Sequence, residues 1–141
     1  MIVTRLALLL SFSTALTAAD LATIINSGST NMAGFRIVVE RSGKAAYTSA
    51  AGKTQNRRVA KSLAARFYKD LDAAKPLSGL PSHGCMKSAS FGSTLKVEMG
   101  SDESPDLSCG DGGNAAMAAL IQDANQIVKS FPPQPVGREV R

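Results

Sequence analysis

The chain has 141 residues, of which 44% are hydrophobic, 19% charged and 5% aromatic, with no tryptophan, one histidine and a formal net charge of +5. That length fits one small globular domain and leaves no room for two catalytic ones. The hydrophobic share excludes a disordered chain, and beyond the first twenty residues no apolar run is long enough to span a bilayer.

The N-terminus reads as a secretory signal peptide over residues 1–19. Arg5 precedes an apolar core from Leu6 to Leu16, and Thr17, Ala18 and Ala19 supply small residues before the first acid, Asp20. Cleavage after Ala19 removes one basic residue and no acid, leaving 15 − 11 = +4. The expected location is secreted or periplasmic, with a single α+β domain over 20–131 and a Pro-rich tail over 132–141. In an oxidising compartment the only two cysteines, Cys85 and Cys109, are expected to form one disulfide. A zinc site is disfavoured, because one histidine and two cysteines fall short of four ligands.

In chain order, Asp20–Ala33 reads as a short strand or arm around Leu21, Ile24 and Ile25 that runs into a Ser/Asn/Gly loop. From Gly34 the chain alternates. Phe35, Ile37 and Val39 point one way and Arg36, Val38 and Glu40 the other, and Ser42-Gly43 turns the chain into a returning strand through Tyr47. Residues 51–55 read as a polar link. Val59, Leu63, Phe67 and Leu71, at four-residue steps, then predict an amphipathic helix that Thr54 or Asn56 caps and Pro76 ends. Its other faces are basic, with Arg57, Arg58, Lys61, Arg66 and Lys69.

After the loop 77–84, Met86–Phe91 and Ser93–Met99 read as extended, and Asp106–Cys109 as a short returning strand. A second amphipathic helix follows from Met117 to Phe131, capped by Asp111 or Asn114 and closed by Pro132 and Pro133. Ile37–Lys44 and Leu95–Asp102 hold matching places in two hairpin-then-helix units, a similarity that period-2 alternation produces without a true repeat. The expected fold is a two-layer α+β sandwich in ββαββα order, with four or five antiparallel strands and both helices on one face. Arg36, Glu40, Lys96 and Glu98 then lie on the open face.

Chemistry is sparse. His83, in the loop Pro81-Ser82-His83-Gly84-Cys85, is the one candidate base, and no nucleophile elbow accompanies it. Asp102, Glu103, Asp106 and Asp111 cluster without a calcium-loop pattern or the aromatic platforms of a glycoside cleft. Asp111-Gly112-Gly113-Asn114 lacks both phosphate-loop signatures. The basic helix face has no interleaved aromatics, so no nucleic-acid partner is expected, and no cofactor or metal is implied. The expectation is an exported, non-catalytic domain that binds a protein or cell-envelope component through Arg36, Glu40, Lys96, Glu98 and the loop bearing His83. The alternative is a small hydrolase using His83 with Asp106 or Asp111.

Overall fold

The computed structural model of the protein describes residues 21–132. The expected signal peptide, its cleavage point and residues 133–141 of the expected tail lie outside the described residues. The elements run β1 (Leu21–Asn26), β2 (Phe35–Glu40), β3 (Lys44–Ser49), β4 (Thr54–Arg58), α1 (Lys61–Ala74), β5 (Leu95–Met99), β6 (Asp102–Glu103) and α2 (Ala115–Lys129). All six strands form one antiparallel sheet in the order β4-β3-β2-β1-β5-β6. The α+β class is as expected. The sheet has six strands rather than four or five, and the order is ββββαββα rather than ββαββα.

Two strands account for the difference. β1, read as a short strand or arm outside the hairpin-helix units, lies inside the sheet between β2 and β5, with Ala22, Thr23 and Ile24 buried. β4 takes the place of the polar link. Its sequence, Thr-Gln-Asn-Arg-Arg, shows no apolar alternation because an edge strand exposed for most of its length is held by backbone bonds to one neighbour. Thr54 and Asn56 are therefore strand residues and not caps, and α1 starts at Lys61 behind Ala60, which makes no side-chain capping bond. Arg57 and Arg58 belong to β4 rather than to the helix.

Two further expectations are corrected on the C-terminal side. Residues 86–91 form no strand. The chain returns from β5 through a tight turn, in which Gly100 adopts φ +61°, into the two-residue β6. Leu107–Cys109 is a 3-10 turn, because Asp106 accepts from the Ser108 N–H at 3.0 Å and pulls the backbone out of the ladder. Of the two proposed caps for the second helix, Asn114 serves, with its Oδ1 2.9 Å from the Met117 N–H. Cys85 and Cys109 are disulfide-bonded, with Cα atoms 5.4 Å apart.

The helices share one core with Ala22, Ile24, Ile37, Val39, Ala45, Tyr47 and Val97 of the sheet. Phe67, Leu71, Leu120 and Ala124 are buried there as the helical spacing predicts, while Leu63, Ile121 and Val128 pack at its margin. Tyr68 was not part of that stripe. Its ring is 2% exposed, and its hydroxyl accepts from the Ala22 N–H at 3.0 Å and donates to the Val39 carbonyl at 2.5 Å, tying α1 to the sheet. No helix among the described residues is long and apolar enough to cross a membrane.

Candidate functional site

Strand alternation carries Arg36, Val38, Glu40, Lys96 and Glu98 to the sheet face away from the helices, where the sequence puts them. Ile25 lies opposite both Arg36 and Lys96, and Thr23 opposite both Val38 and Glu98, so these residues form two adjacent rows. The charges there consume one another. Arg36 Nη2 donates diagonally across β1 to Glu98 Oε1, and Lys96 Nζ donates to Glu103 Oε1 at 2.6 Å. The hydrogen bond that Lys96 donates to Glu103 raises the pKa of Lys96. Glu40 accepts from the Ser42 hydroxyl at 3.0 Å. Exposed pairs of this kind contribute about 0–1 kcal/mol to stability, but they leave the centre of the face with little unpaired charge.

His83 is not on that face. It belongs to the loop end of the sheet, where its ring packs on the backbone of Gly112 just before α2. Gly112 has φ +56°, a conformation that favours glycine, and a Cβ there would lie 1.8 Å from His83 Nε2, so any side chain at 112 would displace the ring. That nitrogen is shielded from solvent, and His83 makes no hydrogen bond among the described residues. Its suggested carboxylate partners are engaged elsewhere. Asp111 accepts from the Gly113 N–H at 2.7 Å. Asp106 accepts from the Leu95 N–H at 3.0 Å, the Ser108 N–H and the Lys87 ammonium. Burial pushes the Asp106 carboxyl up, but these donors outweigh it and hold it at about 2. Among the described residues no group of three histidine, cysteine or acidic side chains is placed to hold a metal.

The loop end is built from two irregular segments, 27–34 and 86–93, joined along their backbones. The Asn31 N–H donates to the Ser90 carbonyl at 3.1 Å, the Thr30 and Ser29 hydroxyls donate to Ala89 and Ser90 at 3.0 and 2.8 Å, and Ser27 N–H donates to Thr94 at 3.2 Å. The Cys85–Cys109 bond and the Lys87–Asp106 pair fix the second segment to the 3-10 turn below it. On this braced platform stand Met32, Met86 and Phe91, 43%, 103% and 66% exposed, the only large hydrophobic side chains exposed among the described residues. Beside the platform a cleft of about 300 Å³ runs between Asn26, Ser93, Leu95 and the Ile121–Asn125 turn of α2. That volume is at the lower limit for small-molecule sites, and its lining carries no charge.

Sequence reasoning missed these three residues. The available signal was the isolation of Met32, Met86 and Phe91 within Ser/Gly/Asn-rich segments, where no apolar period explains them. No protein-family model matches the chain, and neither does any curated protein.

Proposed function

We propose that the protein is an exported, non-catalytic binding domain that docks a protein or cell-envelope component through its loop end, with the adjoining sheet face as rim. One observation carries the reading: every large hydrophobic side chain exposed among the described residues stands on one pair of mutually hydrogen-bonded, disulfide-anchored loops. Single apolar residues scattered over a surface call for no explanation, whereas exposed apolar side chains confined to two joined loops are a form that an interaction site takes. A braced loop also loses little conformational freedom on binding, which leaves more of the contact energy as affinity. The self-neutralised ladder of Arg36, Glu98, Lys96 and Glu103 suits a polar rim around such a centre.

Immobilised protein is to be exposed to native envelope and secreted fractions alongside a Met86→Ser/Phe91→Ser variant and an Arg36→Ala/Lys96→Ala variant. The reading expects a retained component that the first variant loses almost completely and the second weakens slightly. Equal retention by wild type and the Met86→Ser/Phe91→Ser variant contradicts it. Turnover of ester, peptide or glycoside substrates that disappears with His83→Ala contradicts the non-catalytic part.

A further inference from the structure

We propose that the free edge of β4 is a second docking site, one that takes an extended acidic peptide by strand addition. The residues from Arg41 to Lys69 include eight basic side chains and no acidic one. Arg41 pairs with Asp72, and Arg66 with Asp123. Lys44, Lys53, Arg57, Arg58 and Lys61 make no ion pair among the described residues. Arg57 and Arg58 lie on β4 itself, Lys44 is opposite Arg58 in register, and Lys61 opens the helix that follows.

Charge alone would suit any polyanion; the backbone narrows the choice. The ladder between β3 and β4 is flanked by bonds from Ser49 N–H to the Lys53 carbonyl and from Val59 N–H to the Gly43 carbonyl, both 2.9 Å. In an antiparallel pair, bonding toward the neighbour alternates along the strand. Odd-numbered residues of β4 therefore bond inward to β3, and the N–H and C=O groups of Thr54, Asn56 and Arg58 point outward, with no backbone partner among the described residues. A row of unpaired donors and acceptors is complemented by another polypeptide strand and not by phosphate or sulfate. Because successive side chains leave a strand on opposite faces, adjacent acids on the incoming strand would meet Arg57 on one face and Arg58 on the other. A recess of about 190 Å³ lined by Val38, Ala46 and Asn56, with Glu40 and Lys44 also on its wall, adjoins the edge and can receive an apolar side chain next to that acidic pair.

A second copy of the chain is a poor occupant. Its acidic edge, β6, is two residues long, and both acids are engaged: Asp102 accepts from the Leu77 and Ser78 N–H groups at 2.7 and 2.9 Å, and Glu103 holds Lys96. Cations on an edge strand also discourage accidental strand pairing, and the test separates that protective role from recognition.

The probe is a fluorescently labelled, end-capped six-residue peptide with a central Glu-Asp pair flanked by Val and Thr, titrated into the disulfide-intact protein and followed by anisotropy. Expected are saturable binding that weakens with added salt and at least a tenfold loss for Arg57→Gln/Arg58→Gln. The same loss is expected for a peptide N-methylated at the alternate amides that meet the edge, and for Asn56→Pro, which removes one outward N–H and keeps every cation. Absence of saturable binding at low salt overturns the proposal. So does equal binding of the N-methylated peptide, or competition by single-stranded DNA or polyphosphate as effective as that by unlabelled peptide, since either result assigns the edge to charge alone.

Discussion

Tyr68→Phe removes one oxygen atom from the core and should be among the costlier conservative changes in the molecule. The hydroxyl bridges the Ala22 N–H and the Val39 C=O from a side chain that is 2% exposed, so without it water has no ready access to either backbone group. Ala22 and Val39 also face each other in the β1–β2 ladder, so the change removes two buried hydrogen bonds of about 0.5–1.5 kcal/mol each, an expected loss of about 1–3 kcal/mol. For a domain of this size that corresponds to a fall of about 4–12 °C in the unfolding midpoint. Tyr47→Phe is the matched control. Tyr47 is 5% exposed and stacks between Phe35 and Phe131 with ring centroids 5.2 and 5.5 Å away, but its hydroxyl has no hydrogen-bond partner among the described residues and is not sealed from solvent. The same chemical change there should cost less than about 1 kcal/mol. Urea unfolding of both variants with the disulfide intact decides the matter. Equal losses, or a larger one at Tyr47, would refute the idea that the Tyr68 hydroxyl fastens α1 to the sheet.

Three further outcomes follow from the packing and the charges. Leu120→Ala, at a fully buried position of α2, should lower stability by about 2–5 kcal/mol in the same assay. Asp106 has a folded pKa of about 2 against an ordinary 3.8, so it contributes about 2 kcal/mol that is fully present above pH 4 and is lost as pH falls through 2; in Asp106→Asn the urea midpoint should be lower at neutral pH and fall less steeply below pH 4. Reduction of Cys85–Cys109, which closes a 25-residue loop, should lower stability by about 3–4 kcal/mol. Far-ultraviolet circular dichroism of the reduced protein should retain its helical signal below the midpoint, because α1 and α2 lie outside that loop.

How much of the molecule could be read from its residues depended on what each residue does. Ile37 and Val39, Leu95 and Val97, and the Phe67 and Leu71 steps are apolar because they fill a core, so their period predicted the element and the buried face together. β4 serves as an edge through its backbone, and its side chains carry no trace of that role. Tyr68 sits one position beyond the expected stripe, where its length lets the hydroxyl reach the sheet, a contact that periodicity does not encode. Asp106 reads as the first residue of a returning strand, yet its carboxylate organises Leu95, Ser108 and Lys87 together. Alternation puts Arg36, Glu40, Lys96 and Glu98 on one face, but the Arg36–Glu98 pair depends on the β2-β1-β5 strand order, which brings the two within reach across β1. His83 reads as a residue of the loop ahead of Cys85, and nothing in its spacing tells that the fold carries its ring onto Gly112.

The loop-end reading can be tested directly by the oxidation of individual methionines. Met86 and Met32 are exposed and Met117 is fully buried, so mild peroxide should convert the first two to sulfoxides in the free protein and spare the third. With the captured component bound, peptide mass analysis should show Met86 and Met32 protected and Met117 unchanged. Oxidation of Met86 at the same rate in the complex as in the free protein would contradict the claim that this domain binds through its loop end.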